Sequence, residues 1–169
     1  QAAAQKPKSG SRGDRISEDF RTLEQARWKL FGGDWVHTPG RLEQKQDGPT
    51  RAALQLLERP PGDFDATVRF TILGGSRWRS VALAFDAAAG DPTRDSVSAY
   101  SEKNVYVSAV SPGSKIHAAY NESGRWHYPS GGAVRQLPVA LKQEHTLRVQ
   151  VRGRLINAAL DGNPVIACQ

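Results

Sequence analysis

The stretch Phe64-Asp65-Ala66-Thr67-Val68-Arg69-Phe70-Thr71-Ile72-Leu73 alternates residue by residue. Phe64, Ala66, Val68, Phe70 and Ile72 fall on one side of an extended chain, and Asp65, Thr67, Arg69 and Thr71 on the other. A period of two over ten residues is the pattern of a strand with one buried and one wet face. Arg77–Asp86 repeats it, with Val81, Leu83 and Phe85 opposite Ser80, Ala82 and Ala84. Each face alternates, which is how an antiparallel sheet with one solvated side reads.

Outward from this pair the same period recurs in short runs separated by turn residues. On the N-terminal side, Asp34–His37 and Arg41–Gln44 flank Thr38-Pro39-Gly40, and Arg51–Leu57 ends at Glu58-Arg59-Pro60-Pro61-Gly62-Asp63. On the C-terminal side come Ser96–Tyr100, Val105–Val110 and Lys115–Tyr120, divided by Glu102-Lys103-Asn104 and Ser111-Pro112-Gly113. A loop is expected over Asn121–Pro138. His145–Arg152 and Leu155–Leu160 form the last long pair, and Asp161-Gly162-Asn163 turns the chain into Pro164–Cys168. About ten short strands without a long amphipathic helix predict an all-β fold, an antiparallel two-sheet β-sandwich spanning residues 16–169. No repeat of fixed period is visible, which argues against a propeller.

Residues 1–15 lack apolar periodicity and read as a disordered basic linker or tail. Residues 16–31 read as an irregular lead-in, with Phe20, Leu23, Trp28 and Phe31 tucked onto the sandwich edge. The first 30 residues hold seven Lys and Arg against four Asp and Glu, so half of the +6 formal charge lies there. The remaining basic residues are scattered along strands rather than gathered on one element, so nucleic acid is not an expected partner. No apolar run approaches the roughly 20 residues of a membrane helix, so no membrane insertion is expected. Cys168 is the only cysteine, which rules out an intramolecular disulfide. The sequence holds no methionine, so position 1 is not expected to be the start of a reading frame.

Motifs for chemistry are sparse. His37, His117, His127 and His145 fall in separate elements without metal-ligand spacing. Asp86, Asp91 and Asp95 share one loop and are the only suggestion of calcium; otherwise no cofactor is expected. No catalytic residue is assigned, because neither a strand carrying paired carboxylates nor a GxSxG elbow occurs. The remaining signal is aromatic. Sugar rings stack their C–H faces on Trp and Tyr while neighbouring polar groups bond the hydroxyls. Trp78, Tyr106, His117 and Asn121 share the parity opposite the apolar face of their strands, and Trp126 and Tyr128 lie in the predicted loop. These six are the candidate ligand-binding residues, lining a groove floored by Ser80, Ala82, Ala84 and Ser108. The competing role for Trp78 and Trp126 is packing beneath loops.

From Trp28 onward, GGDW followed by GRL, then GDFDATVRFTILGG with SVALAFD, then HTLRVQVRG with LINAALDGNPV, resembles the concanavalin A-like or laminin G-like jelly rolls of bacterial secreted proteins. Two groups are similar: laminin G-like domains of large proteins that also bear c-type cytochrome domains, and the 3-keto-disaccharide hydrolase-like family. The resemblance implies a non-catalytic, carbohydrate-binding module of an extracytoplasmic (periplasmic or secreted) multidomain protein. It equally admits a glycoside-processing hydrolase domain, or a structural domain packed on sister domains such as a cytochrome-bearing one. Converging carboxylates in the groove would favour the hydrolase. The matched motifs specify strands and turns rather than chemistry. Domains of this kind run on past the DGNPV hairpin to one further strand, so a truncated sandwich with an open sheet edge is expected.

Overall fold

The computed structural model describes residues 15–77, 79–110, 113–129 and 131–169. Trp78 and nearly all of the predicted basic tail lie outside the described residues.

The described residues form thirteen strands: β1 (Trp28–Phe31), β2 (Trp35–Thr38), β3 (Arg41–Gln44), β4 (Ala53–Leu56), β5 (Phe64–Thr71), β6 (Ser80–Phe85), β7 (Glu102–Ser108), β8 (Lys115–Glu122), β9 (Arg125–His127), β10 (Val134–Gln136), β11 (Glu144–Arg152), β12 (Leu155–Leu160) and β13 (Asn163–Cys168). The architecture is the all-β antiparallel sandwich that the alternation predicts. One sheet runs β10-β8-β7-β6, with β9 also paired to β8, and the other runs β13-β12-β11-β5. Two small ladders, β1 with β4 and β2 with β3, complete it. Among the described residues, no helix is long and apolar enough to cross a membrane.

The core lies between the two main sheets. Val105, Val107 and Ile116 project from the first sheet, Leu147 and Val149 from the second, and all five are fully excluded from solvent. Burying each such side chain contributes about 1.5–3 kcal/mol. Ion pairs on the exposed surface, such as Arg148 and Arg152 about Asp65 on the outer face of the second sheet, are screened by solvent and contribute little. Apolar burial therefore dominates the joining of the sheets.

The structure corrects four local expectations. Ser96–Tyr100 is a series of turns, and the strand begins instead at Glu102, within the Glu-Lys-Asn triplet expected to be a turn. The expected loop over 121–138 contains β9 and β10. The lead-in segment ends in β1, and the strands among the described residues number thirteen rather than about ten.

Two tight hairpins position groups that matter below. Asp161 and Gly162 both have positive φ (51° and 81°) between β12 and β13, the backbone of a two-residue type I′ turn. Asp161 is thereby aimed at β11. Its Oδ2 lies 2.8 Å from His145 Nδ1 and its Oδ1 accepts from Thr146 N at 2.8 Å. Ser123 and Gly124 (φ 55° and 78°) form a second hairpin of the same kind, which sets Trp126 directly across from Asn121.

Candidate functional site

On β7 the odd residues Val105 and Val107 enter the core, so Glu102, Asn104, Tyr106 and Ser108 face the other way. The unbroken registers of β6, β7 and β8 extend this outer face into four rows. The first holds Glu102, Asn121 and, across the β8–β9 hairpin, Trp126. The second is small, with Ala84, Asn104 and Ala119. The third holds Ala82, Tyr106, His117 and Val134, and the fourth Ser80, Ser108, Lys115 and Gln136.

The first row is organised by a carboxylate. Glu102 is buried, and its two oxygens accept four hydrogen bonds. Arg51 Nη2 donates to Oε1 at 2.8 Å and Nη1 to Oε2 at 3.1 Å, Asn104 Nδ2 donates to Oε1 at 3.0 Å, and the Tyr100 hydroxyl donates to Oε2. Arg51 Nη1 also donates to the Pro92 carbonyl at 3.2 Å and lies 4.0 Å from Asp95. The Arg51 guanidinium sits 5.8 Å from the Trp126 ring centroid. Burial works against the Arg51 charge, but the fork on Glu102 outweighs it and holds the guanidinium protonated more firmly than usual. Burial, and then the Glu102 charge, push the Tyr100 phenol above its ordinary value, so it remains a donor.

Asn121 Nδ2 donates to the Asp95 carbonyl at 2.7 Å, tying the 91–100 loop down beside this row. Gly124 closes the same contact from the hairpin. A Cβ there would lie 2.6 Å from the Ser96 carbonyl oxygen and 2.8 Å from that of Val97.

The third row is aromatic. His117 stacks on Tyr106 at 4.7 Å between centroids and meets Tyr128 edge-on at 5.3 Å. Among the described residues its Nδ1 has no hydrogen-bond partner, and neither do Asn104 Oδ1 and Asn121 Oδ1. Burial first, and the charge of Lys115 second, push His117 down to about 4. It is a neutral ring near pH 7.

Five of the six predicted ligand-binding residues thus converge on one face: Tyr106, His117, Asn121, Trp126 and Tyr128. Their roles divide. Tyr128 is well exposed at 60%, Tyr106 and Trp126 are half-buried, and Asn121 at 2% anchors a loop rather than facing solvent. Sequence reasoning missed Arg51, Tyr100, Glu102 and Asn104, and singled out Asp95 only as a loop acid for calcium. Only Glu102 and Asn104 had a local signal, since they continue the parity of Tyr106 and Ser108. The loop acids do not converge: Asp86 pairs with Lys103 at 2.7 Å and Asp91 accepts from Thr93 N at 2.8 Å. Among the described residues, no three His, Cys, Asp or Glu side chains come together as a metal site needs.

No protein-family model matches this chain, and no curated protein matches it. A solved structure that it is similar to is the carbohydrate binding module CBM66 from Bacillus subtilis, with a TM-score of 0.64 over 84% of this chain and 78% of that one, at 16% sequence identity. At that identity the likeness establishes a shared jelly-roll-like β-sandwich fold.

Proposed function

We propose that the outer face of the β6–β10 sheet binds carbohydrate, and that the domain is a non-catalytic binding module. One observation carries this reading. A tyrosine pair around a neutral, partly unsatisfied histidine shares a face with a tryptophan set over a fixed arginine–glutamate pair. Exposed or half-exposed rings offer stacking surfaces, and polar groups held by buried partners offer hydrogen bonds already oriented, which lowers the ordering cost of binding. The similar solved structure is itself a carbohydrate binding module, which agrees with this reading.

The hydrolase alternative needs a carboxyl group able to exchange protons with a substrate. Glu102 and Asp95 do flank Arg51, but the Glu102 side chain has no exposure and its two oxygens already accept from four donors. That arrangement suits a scaffold carboxylate. The resemblance to secreted jelly rolls supports an extracytoplasmic setting within a larger protein, for which secretion in the native host is the check.

A glycan array probed with the protein, alongside its Trp126→Ala and Tyr128→Ala variants, tests the proposal. Binding to one glycan class that both variants lose is expected. Binding to no glycan would overturn it.

A further inference from the structure

The charges on this face are arranged asymmetrically. At the Trp126 end, Arg51 is neutralised by Glu102 at 2.8 Å, with Asp95 a further 4.0 Å contact. At the opposite end, Lys115 occupies the fourth row among Ser80, Ser108 and Gln136, all uncharged. Lys115 is half-buried on β8 and, among the described residues, makes no ion pair. The third row beside it, Ala82, Tyr106, His117 and Val134, holds no acid either. Glu102 lies six residues from Ser108 along β7, about 20 Å away. Screening in physiological salt acts over about 8 Å, so neither Glu102 nor Asp95 offsets the Lys115 charge. The Lys115 charge is nevertheless felt inside the site, since it is one of the two influences that hold His117 neutral. His117 itself is 8% exposed, with Nδ1 unpartnered among the described residues, beside Tyr106 and Tyr128.

A cation with no counter-ion among the described residues, next to an aromatic platform and an imidazole unsatisfied among them, is suited to a sugar that brings its own anion. Resting on the carbohydrate reading above, we propose that the ligand is an acidic glycan whose uronate carboxylate pairs with Lys115 while the sugar ring lies against Tyr106 and Tyr128. The ammonium supplies the charge complement, and the exposed Gln136 beside it on β10 is an amide partner for the ring substituents. His117, uncharged, contributes an acceptor or donor without adding a second cation, so the site offers one positive charge for one carboxylate. Arg51 plays no part in this recognition because its fork is already occupied.

The test uses polygalacturonate, alginate and glucuronoxylan, each beside the same polymer after carboxyl reduction, which removes the charge and keeps the linkage. Affinity is measured by electrophoresis through polymer-containing gels and by calorimetry, for the unaltered protein and for Lys115→Gln, Lys115→Arg and Tyr128→Ala. The proposal expects at least one uronate polymer to bind, carboxyl reduction to weaken it about tenfold or more, and Lys115→Gln to do the same. Lys115→Arg should restore most of the affinity, and raising salt from 50 to 500 mM should weaken the unaltered protein more than Lys115→Gln. Equal binding of native and reduced polymers, insensitive to Lys115→Gln but lost in Tyr128→Ala, would overturn the acidic specificity and leave carbohydrate binding standing. Uronate binding that persists in Lys115→Gln would likewise overturn it. Failure to bind all six polymers, with a blank glycan array, would overturn both.

Discussion

Arg51 and Glu102, 51 residues apart in sequence, meet as a bidentate pair with the carboxylate wholly buried. This contact joins the segment before β4 to the sheet that bears the candidate site, and Trp126 lies over it. Removing one partner strands a buried charge, whereas replacing both by apolar groups does not. Arg51→Met is therefore expected to lower stability by about 3 kcal/mol in urea unfolding, and Arg51→Met with Glu102→Leu to regain much of the loss. Equal losses in the single and double variants would contradict this account of the pair.

His145 is buried with an acceptor on each ring nitrogen, Asp161 Oδ2 at 2.8 Å and the Ala140 carbonyl at 2.9 Å. Burial alone would lower its pKa, but these two acceptors and the Asp161 charge outweigh it, and the folded value lies above the usual 6.5. The folded state therefore binds the proton more tightly. The resulting stabilisation is complete below the unfolded pKa and is lost as pH rises through the raised folded value. The thermal midpoint should fall as pH rises above 6.5 through the raised folded value, and a His145→Gln variant should not show that fall.

His117 behaves in the opposite sense. Burial and then Lys115 push it to about 4, so the unfolded chain takes up the proton first and stability declines as pH drops from 6.5 toward 4. In an NMR titration its ring protons should move near pH 4, and Lys115→Gln should raise that midpoint. A midpoint at 6.5 would mean that the ring is not enclosed by Tyr106 and Tyr128 in solution.

Gly124 combines a left-handed backbone (φ 78°) with backbone carbonyls less than 3 Å from where a Cβ would sit. Neither carbonyl belongs to a flexible side chain that could swing away. Gly124→Ala should cost about 2 kcal/mol or more and should loosen the 91–100 loop from Asn121, weakening glycan binding as well as stability. A neutral effect in chemical denaturation would refute the tight contact.

What could be read in the sequence was what is local. Phe64–Thr71 and Leu155–Leu160 announce themselves by alternation, and Asp161-Gly162 by a dipeptide that few backbones other than a type I′ turn prefer. Glu102-Lys103-Asn104 misleads because three polar residues resemble a turn. In the fold, Glu102 and Asn104 are buried polar groups on the side of the strand away from the core, where their partners come from elsewhere in the chain. Arg51 gave no warning at all, since its role depends on a residue 51 positions away. Ser123-Gly124 was a legible turn signal whose consequence, Trp126 facing Asn121, was hidden in an apparently long loop. Tyr106 and His117 were thus visible from parity, and Trp126 and Tyr128 only as aromatics of a predicted loop, while the ion pair beneath Trp126 required the tertiary structure.

The central claim is that sugar lies on the outer face of the β6–β10 sheet. Titrating the isotopically labelled protein with the glycan that binds best, and following backbone and aromatic NMR signals, tests it most directly. The account predicts shifts concentrated at Tyr106, His117, Trp126, Tyr128 and Lys115. Shifts confined to the outer face of the other sheet, at Thr67, Arg148 and Asn157, would contradict it.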